Sequence, residues 1–123
     1  ELVELTKRHR KLTLTMCVNY GGRVELADAA SALAADVAAG AIDPARITER
    51  TFAKYLYDPQ MPDVDLFIRS SGELRTSNFL PWQSAYAELV FDETPWPEFD
   101  RRNLWAAMAE YQRRDRRFGG VKA

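Results

Sequence analysis

Val64-Asp65-Leu66-Phe67-Ile68 runs directly into Arg69-Ser70-Ser71-Gly72-Glu73-Leu74-Arg75-Thr76-Ser77-Asn78. The first five residues form a short, mostly apolar run with β-branched side chains, which predicts a strand; the polar, glycine-bearing segment after it predicts a loop. Downstream, Pro81 stands ahead of Trp82–Glu88, a short helix with proline near its first position, and Leu89-Val90-Phe91 reads as another strand. Upstream, Leu12–Val18 has the same apolar, β-branched character and is stopped by Asn19-Tyr20-Gly21-Gly22, so it too is expected to be a strand followed by a loop. From Val24 the apolar residues Leu26, Ala29, Ala30, Leu33, Ala34 and Val37 recur at helical spacing, and Gly40 supplies the stop. Asp43-Pro44 marks a helical start, and Thr48 caps a helix with Phe52, Tyr55 and Leu56 on its apolar face. Pro59 and Pro62 punctuate the chain before the second strand. After Trp96-Pro97, Asp100 caps a last helix carrying Leu104, Met108 and Tyr111 on one face. Alternating strands, loops and helices predict an α/β domain, a mainly parallel sheet flanked by helices, over residues 1–123. In such sheets ligands sit beyond the carboxyl ends of the strands, which singles out the loops starting at Asn19 and Arg69.

Composition narrows the function. The 123 residues are 46% hydrophobic and 28% charged, enough for one modest core, and no apolar run approaches the roughly 18 residues of a membrane span. A net charge of −1 argues against nucleic acid as partner. Arg101, Arg102, Arg113, Arg114, Arg116 and Arg117 are interspersed with Asp100, Glu110 and Asp115, the pattern of a solvated helix. The single Cys17 and single His9 exclude an internal disulfide and a Cys/His metal cluster, leaving oxygen ligands of the Mg²⁺ type. Cys17 reads as a buried small hydrophobe, and Trp82, Trp96 and Trp105 as core or interface residues. Glu1 in place of a methionine suggests a chain already under way, the carboxyl-terminal part of something larger.

Chemistry concentrates in the loop after Ile68. Arg69 and Arg75 offer planar, permanently charged forks, Ser70, Ser71 and Ser77 offer hydroxyls, and Gly72 allows close backbone approach, a combination suited to a phosphate-rich ligand. Glu73 and Glu88 are the carboxylates nearest in sequence, and a diphosphate commonly recruits Mg²⁺ through one or two such groups. The same residues also suit an ordinary solvated loop with surface ion pairs.

The stretch Asp65–Glu88 as a whole resembles the signature of the cis-prenyltransferases, the undecaprenyl diphosphate synthase family. The similarity extends to Val18-Asn19-Tyr20-Gly21-Gly22-Arg23, to Phe91 and Trp96-Pro97, and to Arg116-Arg117-Phe118-Gly119-Gly120. The resemblance implies that Arg69, Arg75 and Ser77 hold the diphosphate of isopentenyl diphosphate. It implies that Glu88 is associated with the Mg²⁺ site and the subunit interface. Arg117 and Gly119 match an element that in the family reaches across a homodimer toward the partner's active site. Glu73 and Asn78 would shape the loop. The family joins isopentenyl diphosphate to an allylic diphosphate with Mg²⁺, so a cytoplasmic transferase whose lipid product associates with membranes is expected.

Three positions depart from the family pattern: Leu74 where Gln or His is usual, Pro81 where Leu or Met is common, and Ser70 for Thr. The family's aspartate-bearing phosphate loop has no counterpart here, so no catalytic residue is assigned and this part of the fold is expected to be inactive alone. An alternative is a non-catalytic partner subunit of a heteromeric enzyme, against which stand Arg69, Arg75 and Ser77. An unrelated phosphate-binding module would have to match the long signature by chance.

Overall fold

The computed structural model describes residues 2–115. The expected partner-side residues Arg117 and Gly119 lie outside that range. The elements in chain order are α1 (Leu2–Thr6), α2 (Gly22–Ala38), α3 (Glu49–Ala53), β1 (Leu66–Arg69), β2 (Glu88–Phe91) and α4 (Arg101–Arg113), with 3-10 turns at Pro44–Arg46 and Trp96–Glu98. β1 and β2 pair in parallel, in a register that runs from Leu66 opposite Glu88 to Arg69 opposite Phe91. α4 packs on both strands, and α2 packs on α3. Ala29, Leu33, Leu56, Phe67, Leu80, Val90 and Ala107 form the buried apolar core.

Local chemistry explains most boundaries. Asp43 and Thr48 each accept a backbone N–H, from Ala45 and Thr51 respectively, and so start their turns. Asp100 and Asn103 form a reciprocal box at the head of α4: Arg102 N–H donates to Asp100 Oδ1 at 2.7 Å, and Asp100 N–H donates to Asn103 Oδ1 at 3.0 Å. Gly40, at φ +73°, takes the left-handed conformation just beyond α2. Two tyrosines tie the segment around α3 to α2, Tyr55 Oη donating to Asp36 and Tyr57 Oη to Asp28, each at 2.5 Å.

Several expectations are corrected. Leu12–Val18 is not a strand: Leu12, Leu14, Met16 and Val18 are between 74% and 85% exposed, and Cys17 is exposed with them rather than buried. A strand needs a neighbour to take up its N–H and C=O groups, and among the described residues β1 and β2 pair only with each other. Trp82–Ala87 forms a series of turns instead of a helix. Ala87 N–H donates back only three residues, to Ser84, while Glu88 N–H is drawn to Asp65 C=O and enters the ladder. The Ser84 hydroxyl also competes for Leu80 C=O at 2.7 Å. On α4 the buried face is centred on Ala107, and Leu104, Met108 and Trp105 are exposed. Trp96 is exposed as well; Trp82 alone of the three tryptophans is half-buried, its ring 4.9 Å from that of Phe52.

Candidate functional site

The loop after β1 is fixed at both ends by backbone hydrogen bonds. At its start, Asp92 N–H donates to Arg69 C=O at 2.8 Å, Ser71 N–H to Thr94 C=O at 2.9 Å, and Gly72 N–H to Asp92 C=O at 3.0 Å. Ser71 and Gly72 both stand at φ +68°, so the chain reverses sharply straight after the last β1 residue. The Asp92–Thr94 segment that braces this reversal is itself held by the Asp92 carboxylate, which accepts Thr94 N–H at 2.7 Å and Asn103 Nδ2 at 3.3 Å. Hydrogen bonds from Thr94 hold the Asp92 carboxyl below its ordinary value of 3.8, with Asn103 adding to the effect. A lowered folded-state pKa gives stability that is present above the unfolded value and is lost as the pH falls through the folded one. Acid titration is therefore expected to loosen Ser71–Gly72 as the pH drops below about 3.8, an effect that Asp92→Asn abolishes, and amide exchange against pH would show it.

At the far end, Ser77, Asn78 and Leu80 take φ values of +50°, +63° and +48°. This unfavourable geometry is held in place by α2: Gly22 N–H donates to Asn78 C=O at 2.9 Å, and Arg23 N–H to Asn78 Oδ1 at 2.8 Å. Asn78 thus occupies two of the free donors of the α2 amino terminus. The loops at Asn19 and Arg69, singled out from sequence as separate features, are joined here. Gly22 makes the join possible, because a Cβ at this position would lie 2.0 Å from Pro81 Cδ.

A cavity of about 320 Å³ opens at the end of β1. Arg69, Ser70 and Ser71 form its polar wall, and Phe67, Phe79 and Trp96 its aromatic wall. Arg75 does not line it; this side chain is 67% exposed and ion-paired with Glu73. Ser77 is exposed farther along the loop. The structure therefore brings Arg69 together with the two hydroxyls and leaves Arg75 and Ser77 on the outer rim of the same loop.

Glu88 is not part of this cleft. It stands at the opposite end of the strand pair, three residues from the level of Arg69, or about 10 Å at the usual rise of a strand. Its Oε2 is taken by Arg114 at 3.0 Å, and the same guanidinium holds Leu89 C=O at 2.8 Å and pairs with Glu110. Arg114, read from sequence as a solvated charge, is in fact a clamp between α4 and β2. Among the described residues no group of three or more His, Cys, Asp or Glu could hold a metal ion. Within one chain, Glu88 does not fit as a Mg²⁺ ligand for a diphosphate seated at Arg69.

Sequence reasoning missed Glu25. Its carboxylate, on the first turn of α2, is only 2% exposed. It accepts Tyr20 Oη at 2.5 Å, Tyr57 N–H at 3.0 Å, and Gln83 Nε2 at 3.3 Å from each oxygen. Burial and the bond to Glu25 push the Tyr20 hydroxyl well above its ordinary pKa, so it stays a donor. The only signal in the sequence was a charged residue on the inward, otherwise apolar stripe of a helix.

The chain is similar to known proteins along nearly its whole length. A family model described as "Putative undecaprenyl diphosphate synthase" matches residues 1–119. A trans,polycis-polyprenyl diphosphate synthase ((2Z,6E)-farnesyl diphosphate specific) of Thermobifida fusca is 66% identical over 122 residues, covering 99% of this chain and 43% of the relative. A decaprenyl diphosphate synthase of Mycobacterium tuberculosis is 55% identical over 118 residues, covering 96% and 40%. The crystal structure of lavandulyl diphosphate synthase from Lavandula x intermedia in complex with dimethylallyl diphosphate superposes with a TM-score of 0.88 at 36% identity, over 94% of this chain and 50% of that one. The chain thus spans about two-fifths of the length of these curated relatives.

Proposed function

Since the chain belongs to the undecaprenyl diphosphate synthase family of prenyltransferases, we propose that it carries the isopentenyl diphosphate side of a cis-prenyltransferase site. The reaction joins isopentenyl diphosphate to an allylic diphosphate and yields a cis polyprenyl diphosphate. The observation that carries this reading is the cavity at the end of β1, whose lining combines Arg69, Ser70 and Ser71 with Phe67, Ile68, Phe79 and Trp96. A ligand with a diphosphate head and a five-carbon apolar tail matches both kinds of lining residue. The half-buried Arg69 provides a forked, charged grip on the head, and Arg75 and Ser77 approach from the rim. Glu73 holds Arg75 in place until substrate oxygens replace it.

In the condensation the double bond of isopentenyl diphosphate attacks C1 of the allylic substrate, the C1–O bond breaks and the diphosphate group leaves with the bonding pair, and a proton is lost to set the new alkene. The residues described here contribute by fixing the nucleophilic substrate, which supplies rate by positioning. Mg²⁺, when bound, would neutralise diphosphate charge. Glu88 is remote from the cleft of its own chain, so we join the Mg²⁺ and homodimer proposals: Glu88, with Arg117 and Gly119, would serve a second copy. Among the described residues no helix is long and apolar enough to cross a membrane. We place the reaction in the cytoplasm, with the product delivered to a membrane surface.

The test is incorporation of labelled isopentenyl diphosphate by a complete enzyme that carries this chain, given an allylic diphosphate and Mg²⁺, since this part of the fold alone is expected to be inactive. Chain elongation that EDTA abolishes is expected. No incorporation with any allylic primer would overturn the proposal.

A further inference from the structure

We infer that Glu25 is a positioning residue for the isopentenyl diphosphate cleft, acting through Tyr20 and Gln83 on the Ser77–Leu80 arm of the loop. The inference builds on the function proposed above. A carboxylate that is 2% exposed normally has a cation beside it, yet all four contacts to Glu25 come from neutral donors. Those donors belong to three separate segments: Tyr20 in the loop before α2, Tyr57 after α3, and Gln83 just beyond the site loop. A single buried group therefore sets the spacing of three chain segments around the first turn of α2.

Two routes lead from Glu25 to the cleft. The first is aromatic. Tyr20 meets Phe79 edge-on at 5.7 Å, Phe79 meets Phe67 at 6.0 Å, and both phenylalanines form the apolar wall beside Arg69. The second runs through the backbone. The Gln83 side chain, 4% exposed, is tied to Glu25, and among the described residues its Oε1 is buried without a partner, while its backbone C=O accepts Val64 N–H at 2.8 Å. Its position relative to α2 thus rests on the Glu25 bonds, and three residues earlier lies Leu80, in the left-handed region. Asn78 pins the same arm to Gly22 and Arg23. Three left-handed residues persist only where their surroundings over-determine them; Leu80 C=O also accepts Ser84 N–H at 2.9 Å and the Ser84 hydroxyl at 2.7 Å, and Glu25 and Asn78 are the ties that link the arm to α2.

The variants discriminate. Glu25→Leu keeps the size of the side chain and leaves the Tyr20 hydroxyl, Tyr57 N–H and Gln83 amide without their acceptor. Glu25→Gln keeps an oxygen for Tyr57 N–H, and its amide can donate to Tyr20 Oη and to a turned-over Gln83. In the full chain, Glu25→Leu is expected to speed amide exchange at Ser77–Leu80 at least tenfold while α4 exchange stays unchanged. In a complete enzyme that carries this chain, KM for isopentenyl diphosphate should rise at least tenfold, with KM for the allylic substrate within twofold of wild type. Glu25→Gln should stay within threefold of wild type in both readouts. Unchanged loop exchange in Glu25→Leu would overturn the inference, as would an equal rise in both KM values with faster exchange throughout. If Glu25→Leu does not fold, Tyr20→Phe decides: about threefold faster exchange at Phe79 and Leu80 supports the inference, and unchanged exchange overturns it. A complete wild-type enzyme that carries this chain and never turns over isopentenyl diphosphate would defeat the functional reading, and loop exchange would still decide the role of Glu25.

Discussion

Arg69→Ala in a complete enzyme that carries this chain is expected to lower kcat/KM for isopentenyl diphosphate roughly 10- to 100-fold, because charge-assisted hydrogen bonds contribute about 1.5–3 kcal/mol each. The side chain is half-buried in the wall of the cavity, where its contacts are less screened than those of an exposed cation. Arg69→Lys should recover only part of the loss, since an ammonium cannot make the planar forked contact. Arg75→Ala is expected to raise KM for the same substrate and lower kcat, by a smaller factor. Its guanidinium is 67% exposed and already partnered by Glu73, so each contact it makes with substrate is screened and replaces an existing one. Steady-state kinetics at saturating allylic diphosphate would test both. An unchanged kcat/KM for isopentenyl diphosphate in Arg69→Ala would remove the cleft from consideration.

Gly22→Ala is expected to destabilise the chain by about 2–3 kcal/mol, the upper range for an over-packed site. The added Cβ would meet Pro81 Cδ at 2.0 Å, Pro81 Cγ at 2.5 Å and Asn78 C=O at 3.1 Å. A proline ring cannot swing aside as a lysine tail can. Relief must come from moving α2 away from the loop, which lengthens the Gly22–Asn78 hydrogen bond. The helix-forming advantage of alanine, about 1 kcal/mol in a helix interior, offsets little of this at a first helical position. Gly21→Ala is the matched control. Its Cβ comes no closer than 3.3 Å to Asn78 Nδ2, and its φ of −145° suits any residue. Thermal melts should separate the two variants clearly, with Gly21→Ala close to wild type.

Elements whose signals are local were legible in the sequence. The caps at Asp43, Thr48 and Asp100 and the left-handed stop at Gly40 depend on neighbours a few residues away, and each stands where its residue type put it. The apolar pattern of α2 identified the helix but not its orientation, since the most buried stripe begins with Gly22 and Glu25 and only then reaches Ala29 and Leu33. Apolar runs were ambiguous wherever a partner decides the outcome. Leu66–Arg69 became a strand because Glu88–Phe91 lies beside it; Leu12–Val18 has no strand beside it among the described residues and stays exposed. In the site, the loop beginning at Arg69 was legible as a polar, glycine-bearing segment after a strand, and the proposed substrate comes from the resemblance alone. The distance of Glu88 from Arg69 was not readable, because it depends on strand register. Nor was the tie from Glu25 to Gln83, which spans 58 positions.

The connection between β1 and β2 is also the site. In most parallel strand pairs the crossover is a helix, and chemistry is added in short loops at its ends, where lengthening does little harm. Here the residues from Ser70 to Ala87 both carry the chain across and contribute Ser70, Ser71 and Phe79 to the cleft, and they do so without a regular helix. An insertion or deletion anywhere in that span would shift either the strand register or the wall of the cleft. Natural variation in length should therefore gather elsewhere, at Ala39–Ile42 or Asp58–Asp63, and substrate preference should diversify through side-chain exchange alone. The topology makes this connection a ruler, and a lineage could change what the ruler is made of more readily than how long it is.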